Sequence, residues 1–269
     1  MTGAAERAAG IAVWALSALP MWTWWTRRLA EPLHADVAAL VSLAFFVAVV
    51  WRRAGRVAFA RSVPAWKWLF AAACLAAFHV SRRYFPPTAS GVFAAFAGLA
   101  VVLPDETDQG PFPIPLVGLL LVALPTELVA DLFLGYPLRV VATSFAAAML
   151  GQVGIPAAAN GVALSVGATE VWVDAPCAGV HMLGAGIVLA LSLAQYFRFR
   201  AMRTVALVGV GLVAVVLGNA VRVAALAFCE SEGVALSSAA HTAVGLAALF
   251  PGAVLCAVAA VMLARGGAR

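Results

Sequence analysis

Cys177 is the residue around which this sequence arranges its chemistry. It stands in the stretch Glu170-Val-Trp-Val-Asp-Ala-Pro-Cys-Ala-Gly-Val-His-Met182, after a short alternating segment and a proline. A long apolar run opens at Ala178, so the thiol sits where extended chain meets the mouth of a helix. Helix N-termini favour anions, and the nucleophilic form of a thiol is its anion. Arg222 interrupts a later apolar run, with Asn219 three residues before it on the same helical face. His241 opens the apolar run after that. His181, four residues after Cys177, shares a face with the thiol and competes with His241 as proton carrier. A thiolate attacks a carbonyl and leaves a thioester, a guanidinium stabilises the developing oxyanion, and an imidazole carries protons. A neighbouring cation and imidazole are expected to lower the thiol pKa. Each residue also has a plainer reading: an inert cysteine at a helix start, an arginine anchored at an interface, a polar residue opening a helix.

The elements that must position these groups are membrane helices. The 269 residues are 64% hydrophobic and 11% charged, against about 25% charged in a soluble domain. Apolar runs of span length recur at about 11–26, 34–51, 66–81, 90–104, 113–130, 178–196, 204–227 and 240–263. The fold class is therefore an all-α polytopic membrane protein with about eight spans. A transmembrane β-barrel needs alternating segments of about ten residues throughout, and only one short alternating patch occurs. The run from Ile11 follows Arg7 like a signal peptide but is read as a retained anchor, because Trp22, Trp24, Trp25 and Arg27 follow it. The net charge of +5 sits at span ends, which reflects topology and not nucleic-acid binding. No CxxC pair and no metal-ligand cluster occurs, so neither a cofactor nor a metal is expected. His34, His79, Cys74 and Cys256 are read as structural.

Charge bias orients the spans. The loop 52–67, with Arg52, Arg53, Arg56, Arg61 and Lys67, and the loop 197–203, with Arg198, Arg200 and Arg203, are expected on the cytoplasmic side. Cys177, Arg222 and His241 then fall outside, at one depth on consecutive helices. Arg27, Arg28, Arg82 and Arg83 run against this scheme. Residues 138–152, interrupted by Arg139, Thr143, Ser144 and Gln152, are expected as a helix lying on the outer surface. Asn160-Gly161 and Gly167 then mark the turns of a small external hairpin that leads into Cys177. Glu127 and Asp131 share a face, expected near the outer end of the fifth span, with solvation the plainer role. Cys229 is also external, and a disulfide to Cys177 is the weaker alternative to a free thiol. The chain reads as one integral membrane domain, 1–269, with 1–112 supplying N-terminal spans and 113–265 the core.

The run Asp174-Ala-Pro-Cys-Ala-Gly-Val-His181 resembles the cysteine motif of the exosortase/archaeosortase family, in which a small residue and a glycine follow the cysteine. Asn219-Ala-Val-Arg222 resembles that family's Asn-x-x-Arg motif, and His241-Thr-Ala-Val-Gly245 its histidine motif. The likeness covers residues from about 115 to 265. It departs at Ala178, where serine is commoner, and at Pro176. The resemblance implies a membrane cysteine transpeptidase of the prokaryotic plasma membrane with its site facing outside. Its implied substrate is the C-terminal sorting signal of an exported protein: a short motif, a transmembrane helix and a basic tail. The acceptor stays open. Catalysis would fall to Cys177, Arg222 and His241, with Asn219, His181 and Gly179 in support. The remaining alternatives are a membrane transporter or assembly scaffold, or an S-acyltransferase acting on membrane lipid.

Overall fold

The computed structural model describes residues 3–29, 37–54, 63–103, 113–124, 127–234 and 236–266. His34, Arg56 and Arg61 lie outside them, as does the side chain of Glu127. The chain divides into two compact units. The first comprises Met1–Thr126 with Ala194–Thr204; the second comprises Glu127–Leu193 with Val205–Arg269.

The first unit holds α1 (Gly3–Ser17), α2 (Leu19–Leu29), α3 (Val37–Ala54), α4 (Ala65–Ser81), α5 (Pro87–Val102) and α6 (Ile114–Val122). Small residues bring these helices close. Ala71, Ala97, Ala100 and Val101 form a buried core against Trp14 and Trp68, and Trp14 Nε1 donates to the Ala94 carbonyl at 2.7 Å. Lys67, read from sequence as a loop charge, is fully buried. Its ammonium donates to the Leu103 carbonyl at the end of α5, at 2.8 Å.

The second unit begins with α7 (Glu127–Ala130), a π-helical turn (Asp131–Gly135) and α8 (Tyr136–Gln152) in unbroken succession. The helix expected over 138–152 is present but begins well before residue 138. Asp131–Gln152 is 22 residues long and apolar enough to cross a membrane, about 33 Å at 1.5 Å per residue. Pro137 does not break the helix, because it follows a π turn that already displaces the i→i−4 ladder. The polar interruptions bond to their own helix: Thr143 to the Arg139 carbonyl at 2.7 Å and Ser144 to the Val140 carbonyl at 2.9 Å. Asp131 lies at the end of this helix remote from the strands that follow.

After α8 comes a three-stranded antiparallel meander, β1 (Ala157–Asn160), β2 (Ala163–Val166) and β3 (Thr169–Trp172), in the order β1-β2-β3. The expected hairpin gains a third strand. Both turns have two central residues and begin on a glycine of positive φ, Gly161 at 61° and Gly167 at 58°. That is the conformation a type II′ hairpin turn demands at its first position. The sheet packs on α8 and α10 through Ala142, Ala146, Leu164, Val171, Val223 and Ala227, with Cys177 against the same cluster.

A 3₁₀ turn (Ala175–Cys177) leads into α9 (Val180–Tyr196), α10 (Ala201–Ser231) and α11 (Ser238–Arg265). Among the described residues three helices are long and apolar enough to cross a membrane: Asp131–Gln152, Ala201–Ser231 and Ala239–Arg265. α4, α5 and α9 are apolar but shorter. α6 has nine residues, so the span expected over 113–130 is replaced by this short helix and the separate long one.

Candidate active site

Small residues fix the register of the helices that carry the site. On the α9 side, Gly186 faces Gly211 and Val215, and Met182 Cε lies 3.8 Å from where a Gly218 side chain would begin. On the α11 side, a side chain at Gly252 would stand 3.3 Å from Ala214 Cβ, and one at Gly218 would stand 2.7 Å from the Ala248 carbonyl. Close backbone approach through such residues is the usual packing of membrane helices. Both contacts are antiparallel. Following them outward, Cys177 comes level with Arg222 on α10, and Gly245 of α11 comes level with the same arginine. The register is confirmed at Gly245, where an added Cβ would lie 3.4 Å from Arg222 Nε and 3.7 Å from its Cζ. The guanidinium therefore lies across Gly245.

Cys177 is half-buried and held by its backbone. Its N–H donates to the Asp174 carbonyl at 2.9 Å, closing the 3₁₀ turn. Its carbonyl accepts from Asn219 Nδ2 at 3.0 Å. Asn219 is 3% exposed, and its Oδ1 accepts no hydrogen bond among the described residues. The bond requires Gly179. That residue has φ 81°, and a Cβ there would stand 2.7 Å from Asn219 Cγ. Thus the glycine two residues after the thiol and the asparagine three before the arginine form one contact. A cavity of about 10 Å³ lies under this contact, with Asn219, Gly179 and Ala178 in its wall; it has room for about one water.

The thiol is held above its ordinary pKa, contrary to the reading from sequence. Burial is the main cause; the Arg222 charge opposes it, and the Asp174 carboxylate adds to it. Cys177 precedes α9 and ends its own 3₁₀ turn. Arg222 does act in the expected direction. Asp174 is the residue that sequence reasoning passed over. Its signal was an acidic side chain three residues before a nucleophile, in a segment already read as extended.

His241 lies in the first turn of α11, which Ser237 caps by accepting from the Ala240 N–H at 3.2 Å. It is exposed, one turn and about 6 Å along the axis from Gly245 on the same face. His181 is also exposed, at the start of α9. The register brings Cys177, Asn219, Arg222 and Gly179 together; His241 stands one turn before Gly245 on α11 and His181 one turn after Cys177 on α9. All four cysteines are free thiols, so Cys177 and Cys229 are not bridged.

No curated protein and no solved structure matches the chain. The sequence model of the transmembrane exosortases matches residues 24–265, and this protein belongs to that family.

Proposed function

We propose that this integral membrane protein is a cysteine transpeptidase that cleaves the C-terminal sorting signals of exported proteins and passes them to a nucleophilic acceptor. The observation that carries the reading is the level register of Cys177 and Arg222, with Asn219 fixing the carbonyl of the nucleophile.

The thiol starts protonated, because burial holds it up, so attack needs a base. His241 takes the thiol proton as sulfur bonds to the scissile carbonyl carbon. Arg222 stabilises the oxyanion. The C–N bond then breaks, the imidazolium returns the proton to the departing amine, and a thioester remains on Cys177. The acceptor's nucleophile loses its proton to the same imidazole, attacks the thioester and frees the thiol.

Charge bias supports an outward-facing site. α6, about 14 Å long, is too short to cross ~30 Å of hydrocarbon. If α1 with α2, then α3, α4, α5, α8, α9, α10 and α11 cross, eight crossings remain. They leave loops 52–65 and 197–203 cytoplasmic and Cys177 outside. The membrane would be the prokaryotic plasma membrane.

The test is co-expression with an exported reporter that ends in a linker, an apolar span and a basic tail. Mass spectrometry reads the tail. Wild type should remove it and Cys177→Ala should leave it intact; removal by Cys177→Ala would end the reading. His241→Ala should abolish cleavage and the imidazole limb of the kcat/KM pH profile, while His181→Ala keeps both. The opposite pattern would give the proton transfer to His181.

A further inference from the structure

β3 is an edge strand. Among the described residues it pairs with β2 on one side only, and the sheet ends there. Its pairing tells which of its backbone groups are engaged. Val166 and Thr169 close a two-residue turn, so theirs is a hydrogen-bonded pair, and such pairs recur every second residue. The pattern continues past the strand, where the Val173 N–H donates to the Val162 carbonyl at 2.9 Å. Thr169, Val171 and Val173 therefore bond inward to β2, and the backbone groups of Glu170 and Trp172 point away from it. The side chains alternate in the same way. Val171 and Val173 are buried, whereas Glu170 and Asp174 are exposed and Trp172 is 65% exposed.

An open edge is a template for another extended chain, and proteins generally blunt it. Here it is short, no further strand pairs with it among the described residues, and it leads to Cys177, five residues beyond Trp172. We infer that β3 is the substrate platform: the extended segment preceding the apolar helix of a sorting signal adds to this edge as a fourth strand. The inference rests on the transpeptidase reading.

Direction follows from the two chains. β3 runs towards Cys177 and continues into the apolar α9. A sorting signal likewise runs from its exported domain into an apolar helix. The added strand is therefore parallel to β3. Residues on the N-terminal side of the scissile bond lie along Glu170 to Asp174, and the scissile carbonyl arrives at Cys177. Backbone pairing would fall about three to five residues before the cut, given about 3.3 Å per residue of strand. Cleavage here leaves the exported portion on Cys177 and releases the apolar helix, as transfer requires. The exposed indole of Trp172 offers a surface for one substrate side chain. The pairing itself is tolerant of sequence.

Proline tests this directly, because an edge strand accepts proline where the N–H does not serve the ladder. Trp172→Pro and Glu170→Pro remove outward N–H groups only. With the reporter above, each should slow cleavage about two- to tenfold, the range for one lost backbone bond, and Trp172→Ala should slow it less than Trp172→Pro. Unchanged labelling of Cys177 by iodoacetamide would show that the variants fold. The second measurement does not need cleavage. Trp172→Cys is placed in a chain with Cys74, Cys177, Cys229 and Cys256 changed to alanine, and single cysteines are scanned along the reporter's linker. Disulfide yield should peak at alternate residues. Yields with a spacing of three to four, or equal yields throughout, overturn the platform, as does Trp172→Pro cleaving at the wild-type rate. A wild-type chain that leaves the reporter uncut while cross-linking alternates would sink the enzyme reading and keep the platform.

Discussion

Each unit of this protein carries a cation in an otherwise apolar helix, and the two are held differently. Lys67, in the N-terminal unit, is fully buried and directed onto the Leu103 carbonyl that ends α5. Its ammonium caps a helix C-terminus, which is where a cation is favoured. Arg222, in the C-terminal unit, is only half-buried and lies across Gly245, and its charge reaches a thiol. A charge inside a membrane span is often read as functional. Under the proposed reading the backbone surroundings separate the two: the cation directed onto a helix end belongs to the scaffold, and the one laid over a glycine and level with Cys177 serves the chemistry.

The sharpest break of this comparison exchanges each cation for a near neighbour. Arg222→Lys keeps the charge but loses the planar fork, and should reduce reporter cleavage by about 10²–10³, the cost of one oxyanion donor. It should leave thermal stability near wild type. Lys67→Met should do the reverse. It orphans the Leu103 carbonyl at a cost of about 1–3 kcal/mol in stability, while cleavage per folded molecule stays within about twofold. Thermal melts and cleavage rates on the two purified variants check both arms. A slow but stable Lys67→Met would erase the distinction.

The same contrast explains what could be read without coordinates. The grouping of Cys177 with Arg222 was legible because both are chemically rare in their surroundings: a cysteine after an alternating stretch and an arginine in an apolar run. The turns at Gly161 and Gly167 were legible too, since only glycine takes that φ cheaply. Lys67 was misread because loop charge and helix-end charge look alike when the partner is a carbonyl from 36 residues away. The helix over 138–152 was read as short, and its span length was missed, because Thr143 and Ser144 look polar while bonding within their own helix. The raised thiol was missed because desolvation depends on packing by Val171, Val223 and their neighbours, which no local spacing reveals.

A smaller effect separates the two glycines that the site requires. Gly179 and Asn219 form one contact, so their substitutions should not add. Gly179→Ala brings left-handed strain of about 1–2 kcal/mol and a clash with a buried amide. Asn219→Ala loses a bond worth about 0.5–1.5 kcal/mol. In the double variant the clash disappears, and the pair should cost about 1 kcal/mol less than the sum. Gly245→Ala, where an added methyl stands at ordinary contact distance from Arg222, should add independently to Asn219→Ala. Thermal melts of the solubilised variants measure all of these. Additivity of Gly179→Ala with Asn219→Ala to within about 0.5 kcal/mol would mean that the two residues act apart.

The smallest expected effect lies at Asp174, and it is the one that tests the electrostatics of the thiol. Burial raises the Cys177 pKa, the Arg222 charge lowers it, and the Asp174 carboxylate raises it by less than Arg222 lowers it. Each sign follows from the charged form being the thiolate: an anion nearby disfavours it and a cation favours it. Asp174→Asn removes the anion, so the thiol ionises at lower pH, and the pH profile of Cys177 alkylation should move down. Arg222→Gln removes the cation, and the same profile should move up by a larger interval. The double variant should remain above the ordinary thiol range, because burial is untouched. Alkylation with a small neutral reagent, followed by mass spectrometry across pH 6 to about 11, around the usual thiol range, resolves the order. If Asp174→Asn moves the profile upward, the carboxylate acts on Cys177 through the backbone of the 3₁₀ turn and not through its charge.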